Sequence, residues 1–390
     1  MRASPLLEYS STTLAIVTIV GSCTALFAAS IALVHNDIKK VIAYSTMSQL
    51  GYTFLACGIS QYDIAIFHIV NHGFFKALLF LSAGAVLHAI NDEQNTSKMG
   101  GLIHMLPFTY TVMLTGSLSL MALPFLTGYY SKDLIIEASY GQYLLGGSIG
   151  YWLGTLTAFL TSIYSIKILI LTFIGTPNGP LKNYLHSHEP SYIMSYPLII
   201  LGIFSIFFGY IFKDLFIGLG TDFWINSLFM MPHHINIIDA EFSLPIFYKL
   251  LPVILSLFGA CLALSIYYIF PIYFYNFFIN SSSFITIKKF LANGYWLDSL
   301  YEKIVLYSIF NFANLTNKII DRGIIEIIGP YGLTNLFSKI STNKLSKLDT
   351  GLIPNYSTYI IFGFFSFFIT ILWLNDFKYI LFFLSIIFIL

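Results

Sequence analysis

Long apolar runs recur along the 390 residues of this chain, separated only by short polar or helix-breaking stretches. A run of ~18 or more such residues is long enough to cross a bilayer as a helix. Lipid offers the backbone no hydrogen bonds, so a spanning segment must be a helix or part of a closed barrel. The polar–apolar alternation a barrel needs is absent. Only 9% of residues are charged, against roughly a quarter in a soluble domain, too few to cover a solvated surface. The expected class is an all-α polytopic membrane protein. A net charge of +1 argues against nucleic acid or a polyanionic partner. Cys23, Cys57 and Cys261 lie within apolar runs, and their spacing fits no metal or disulfide framework. The polar start, Met1 to Ser10, leads into a full-length span and does not read as a cleavable signal. Abundant Phe, Ile, Tyr and Asn match the bias of A+T-rich organellar genomes.

Apolar length and breakers predict helices near 12–34, 38–58, 61–90, 106–139, 146–176, 191–215, 249–279 and 356–388. The fourth is interrupted at Ala122-Leu123-Pro124-Phe125-Leu126-Thr127-Gly128. Proline removes a backbone donor and glycine loosens the helix, so the chain is expected to unwind there and restart. Unwound backbone at membrane depth is tolerated only against protein or a wet cavity. The stretch 175–191 reads as a solvated loop, and 214–248, with Asp222, Asp239 and Glu241, as a segment dipping against the surface. Lys39, Lys40, Lys98, Lys182, Lys288 and Lys289 collect on one side of the predicted topology, and Arg2, Lys213 and Lys249 on the other. The first side is therefore assigned to the matrix or cytoplasm. From Trp296 to about Leu348, charges alternate with helically spaced apolar residues such as Leu300, Ile304 and Tyr307. That pattern predicts a long amphipathic helix along the membrane on the positive side, kinked near Gly329-Pro330, before one last span.

The sharpest candidate site is His68, His72 and Lys76, which steps of four residues place on one helix face. Ionisable groups inside a span are costly and generally face protein or water. Histidine titrates near neutral pH and burial pulls lysine toward it, so three such groups one turn apart suit a water-bridged proton relay. The competing reading is ordinary helix packing with satisfied hydrogen bonds. A zinc site on the histidine pair is disfavoured, since no carboxylate adjoins it and Lys76 would repel a cation. Lys132, just past the helix break, is a second candidate, with Asp133 as charge partner; a lysine snorkelling to the interface is the alternative. Asp37 precedes Lys39 and Lys40. Lys40 reads as a positive-inside anchor, while the spacing leaves the orientation of Lys39 open. Tyr44, Ser45, Thr46, Ser48, Gln49 and Tyr52 make the second helix polar, either as glue between helices or as a hydrated lining. No redox motif or phosphate loop is present, so no cofactor is expected in this chain.

Three stretches carry a family resemblance: Asn36 to Tyr52, His68 to Phe80, and Leu123 to Asp133. They resemble the signatures of the antiporter-like subunits of respiratory complex I. The amphipathic segment with its final span, and Ile324 to Tyr331, resemble the C-terminal part of that family's chain 5 branch. The resemblance implies an antiporter-like inverted repeat with a broken helix over 1–176, two further spans over 177–280, a lateral helix on the matrix side over 281–350 and an anchor over 351–390. It implies a central hydrophilic axis of Lys39, His68, His72 and Lys76, with Lys132 as the broken-helix lysine of a half-channel. Implied too are a multi-pass place in the mitochondrial inner membrane, other membrane-arm subunits as partners, and redox centres held elsewhere. Family members carry roughly as many helices again before this start, so a split gene with a separate chain supplying the N-terminal half is expected. A multisubunit cation/proton antiporter subunit and a non-conducting structural clamp are the alternatives.

Overall fold

The computed structural model describes residues 1–142, 145–218, 221, 223–224, 227–231, 234 and 241–372, which divide into a unit of residues 1–297 and a second from 298 onward. The first unit opens with the short α1 (Ser4–Glu8), followed by α2 (Ser11–Val34), α3 (Ile38–Gly58), α4 (Tyr62–Ala89) and α5 (Pro107–Leu120). It continues through α6 (Leu134–Gly141), α7 (Leu145–Leu169), the short α8 (Leu181–Leu185), α9 (Tyr192–Ile217) and α10 (Ile246–Leu264). A wide turn prolongs α7 through Ile170–Ile174 and α10 through Ser265–Ile269. Stretches Ser11–Val34, Tyr62–Ala89, Gly146–Ile174, Tyr192–Ile217 and Ile246–Ile269 are each long and apolar enough to cross a membrane.

More polar than these, α3 packs through buried Ile38, Val41, Ile42 and Leu55 and through a close backbone approach to α2. A Cβ on Gly51 would sit 2.7 Å from the Ala25 backbone nitrogen, and one on Gly21 2.6 Å from that of Leu55. Ala25, Ala28, Ala29 and Ala32 complete a fully buried small-residue seam on α2, the packing that lets helices approach closely in a membrane. The α3 hydroxyls mostly bond their own helix: Ser45 donates to Ile42 O, Ser48 to Ser45 O and Thr53 to Leu50 O. Self-satisfied hydroxyls are cheap to bury.

After α5 the chain unwinds. Ala122 and Phe125 take left-handed φ values of 62° and 72°, and helix resumes as a wide turn over Tyr129–Asp133 leading into α6. The neighbour α9 takes up the break: Thr127 Oγ1 donates to Phe204 O (3.1 Å) and accepts from Gly209 N (3.2 Å), and Ser119 Oγ donates to Ser205 O. Gly128 has no substitute, because a Cβ there would overlap Ser119 O at 1.8 Å.

Where the sequence suggests one span over 249–279, the helix stops at Ile269 and restarts as α11 (Pro271–Asn280), followed by α12 (Ser282–Ala292). Pro271 cannot continue the hydrogen-bond ladder, and Phe270 leaves helical geometry at φ −124°, ψ 49°. In the second unit, helix with several wide turns runs over 298–328. It breaks at Gly329 (φ −84°, ψ −131°) and resumes as α13 (Pro330–Ile340) and further turns to Leu348. Apolar α14 (Ile353–Leu372) follows. Residues 373–388 of the expected last span lie outside the described residues, as do Asp222 and Asp239.

Candidate functional site

The His68–His72–Lys76 stripe on α4 faces inward, with all three side chains buried. The two imidazole rings lie 6.2 Å apart, nearly parallel. His68 Nδ1 is 2.9 Å from Ser131 Oγ, in the wide turn after the helix break, and its ring meets the edge of Tyr52. Lys76, 4% exposed, donates to Ser45 Oγ and has the Phe80 ring 5.6 Å away. Lys132, 1% exposed, donates to Thr161 Oγ1 of α7 at 2.8 Å and lies 5.5 Å from the Tyr52 ring, whose hydroxyl donates to Gly154 O. Each ammonium site is thus held by one hydroxyl acceptor and an aromatic face, a setting that accommodates either protonation state better than a tight ion pair would.

Asp133 and Asp37 meet their neighbouring lysines in different ways. No ion pair joins Lys132 and Asp133 among the described residues. The two side chains are nonetheless electrostatic neighbours, and the Asp133 carboxylate, itself buried, has one oxygen without a partner. Asp37 pairs at 3.4 Å with Lys40, not Lys39. Lys39 is exposed on the outer face of α3 with Met47, Leu50 and Phe54, opposite the face that holds Ser45, so the structure does not bring it to the buried row.

Two buried ionic groups escape a motif-based reading. Lys167 of α7, 4% exposed, donates to Leu33 O, His35 O and Asn36 Oδ1, closing the C-terminal end of α2. A lone lysine in an apolar run was the available signal, the same one that marks Lys76. Glu8 accepts from Tyr62 Oη at 2.9 Å and from Met231 N, and its Oε2 lies 2.7 Å from His234 Nδ1. Burial pushes the Glu8 carboxyl upward, but these donors, His234 foremost, outweigh it and hold the group below the usual carboxylate value. No local pattern could link Glu8 to a histidine so distant in the chain. The described residues contain no group of three or more His, Cys, Asp or Glu arranged to hold a metal ion.

A helical bundle with a broken helix, a buried histidine–lysine stripe facing that break and a second buried lysine just past it define an all-α multi-pass membrane protein. Residues 1–167 match the family described as NADH:quinone oxidoreductase/Mrp antiporter, transmembrane, and residues 164–374 match the NADH dehydrogenase subunit 5 C-terminus. The chain belongs to the NADH dehydrogenase subunit 5 C-terminus family. It is 54% identical to NADH-ubiquinone oxidoreductase chain 5 of Rhizopus stolonifer, over 96% of this chain and 57% of that one. The protein of the same name from Mycosarcoma maydis is 52% identical over 92% and 53%, and that from Acanthamoeba castellanii 48% over 93% and 54%. The chain therefore spans about half the length of the relatives it matches. A solved structure of the Mrp complex from Dietzia sp. DQ12-45-1b aligns with 18% identity over 53% of this chain and 46% of that one, at a TM-score of 0.45. With these relatives and its apolar helices, the chain is a multi-pass protein of the mitochondrial inner membrane.

Proposed function

We propose that this chain moves protons across the inner membrane as a membrane-arm subunit of NADH:ubiquinone oxidoreductase, driven by electron transfer in other subunits. The observation that carries the reading is the pair Lys76 and Lys132: two almost wholly buried amines, each held by a hydroxyl, flanking a broken helix. Burying an amine in an apolar span is costly, and a protein keeps such groups where gaining and losing a proton is useful. His68 and His72 extend the row along α4, and Asp133 lies beside Lys132 in the chain.

On this reading the redox centres lie in partner chains, and this chain binds no cofactor of its own. Other membrane-arm subunits pack alongside. Residues 281–350 form the lateral segment on the matrix side, and the helix from Ile353 anchors its end. The test is Lys132→Met in the assembled complex, with protons translocated per NADH oxidised as the readout. The expected result is a clear fall in that ratio with the complex fully assembled. An unchanged ratio would leave only the structural clamp.

A further inference from the structure

Past the end of α12, three successive residues are left-handed: Gly294 at φ 57°, Tyr295 at 59° and Trp296 at 58°. Helix resumes at Leu297, where the first unit ends. Glycine adopts that region freely, whereas an L-residue with a bulky side chain is strained there. Among the described residues, the other neighbouring non-glycine pair with positive φ is Asn91–Asp92, types whose short polar side chains tolerate it. Two aromatic residues in succession need contacts outside their own backbone to keep them left-handed.

Tyr295 supplies such contacts. Its ring centre lies 4.6 Å from that of Phe27 on α2 and 4.8 Å from that of Phe290 on α12, so the ring is seated between the two helices. Its hydroxyl is 2.7 Å from Ser30 Oγ, one turn along α2 from Phe27. Ser30 gives its own hydroxyl hydrogen to Phe27 O at 2.7 Å, so the Tyr295 O–H is the donor. Two backbone bonds close the turn, from Trp296 N to Asn293 O and from Leu297 N to Gly294 O. The turn is not crowded, since a Cβ on Gly294 would meet no atom within 4 Å. Its strain is therefore conformational, and the seated tyrosine offsets it.

We propose that Tyr295 is a latch: its ring and hydroxyl, seated on α2, hold a strained turn closed and so fasten the root of the C-terminal segment to the bundle. With the side chain withdrawn, Tyr295 and Trp296 relax out of the left-handed region and both closing bonds are lost. The turn is thus a two-state element, closed while the tyrosine is seated and biased toward opening by its own backbone. The segment that follows exposes apolar residues such as Ile304, Phe310 and Ile320, and a fixed root limits what those residues can reach. The latch does not depend on the proton-carrying reading above.

The test is amide hydrogen exchange at Trp296 and Leu297 in the assembled complex, which reads the opening of the two closing bonds. Tyr295→Phe and Ser30→Ala remove the same hydrogen bond, so each is expected to speed exchange about fivefold, with no further gain when they are combined. Gly294→Ala, which meets no neighbouring atom, is expected to speed it about tenfold through backbone strain alone. Tyr295→Ala loses the seat and keeps the strain, whereas Tyr295→Gly loses the seat and relieves the strain, so exchange is expected to be slower in the glycine variant. Should Tyr295→Ala prevent assembly, Tyr295→Phe, which lacks a single oxygen, and Gly294→Ala carry the test. Unchanged exchange in Tyr295→Phe and Ser30→Ala removes the latch. Exchange in Tyr295→Gly as fast as in Tyr295→Ala, or a Gly294→Ala chain that exchanges like wild type, shows a turn without strain and overturns the proposal as well.

Discussion

In residues 1–297, Lys76, Lys132 and Lys167 are buried, and each donates to a specific hydroxyl or carbonyl oxygen. In the second unit, Lys303, Lys318, Lys339, Lys344 and Lys347 are all exposed, and so are the apolar neighbours Ile304, Phe310, Ile320 and Ile324. Both units are rich in apolar residues, yet only the first folds its helices on one another closely enough to sequester charge. The second makes mostly local hydrogen bonds and leaves both faces of its helices uncovered, as expected of a segment whose apolar side meets lipid or other chains. Charge in an apolar sequence thus carries opposite meanings. Where helix packing buries it, a specific oxygen holds it; where it shares an amphipathic helix with exposed isoleucines, it stays exposed.

The strongest way to break this contrast is at the seam that creates the packed bundle. Gly51→Val places a branched side chain against the Ala25 backbone, where nothing flexible can yield. Overpacking of this kind costs about 3 kcal/mol, so the amount of chain recovered in membranes and its thermal midpoint should both drop sharply. Gly363→Val in α14, where an added Cβ meets nothing within 4 Å, should leave both nearly unchanged. Equal losses from the two would show that the second unit is packed as tightly as the first.

A smaller, pH-dependent effect is expected at Glu8. Its carboxyl titrates lower in the folded chain than in the unfolded one. The stabilisation is therefore complete above the ordinary carboxylate value and is lost as pH falls through the lowered folded value. Glu8→Gln should reduce the thermal midpoint at neutral pH and flatten its decline in acid. Glu326→Gln, on an exposed helix of the second unit, should do neither. A wild-type midpoint that does not fall in acid, or one that Glu8→Gln leaves unaltered, would remove the carboxylate from any stabilising role.

Much of the first unit was legible because helix periodicity is local. Steps of four residues put His68, His72 and Lys76 on one face, and Pro124 beside Gly128 marked the break, before any tertiary information. What the sequence hid depends on partners distant in the chain. Glu8 and His234 meet only because the bundle brings them together, and Lys167 looks like an interface lysine until the end of α2 supplies its acceptors. The polarity of α3 was visible but ambiguous. In the structure Ser45, Ser48 and Thr53 bond their own helix, as packing residues do, and Ser45 also accepts from Lys76. Lys132 and Asp133, adjacent in sequence, are electrostatic neighbours without an ion-pair contact, since the Lys132 amine donates to Thr161 instead.

The finest test of the contrast lies within one helix. Lys39 and Ser45 are both on α3, six residues apart, but Ser45 lies on the buried face against Lys76, while Lys39 lies outside with Met47, Leu50 and Phe54. A surface lysine contributes little to stability and, exposed here, makes no contact with the buried row. In the assembled complex, Lys39→Gln should therefore keep the translocation ratio within about 10% of wild type, as expected of a surface substitution. Lys76→Met should lower the ratio as far as Lys132→Met does. If Lys39→Gln instead matches Lys76→Met, the outer face of α3 is covered in the complex and continues the conducting row into a neighbouring chain. Exposure in the isolated chain would then be the signature of a shared site rather than of an idle surface.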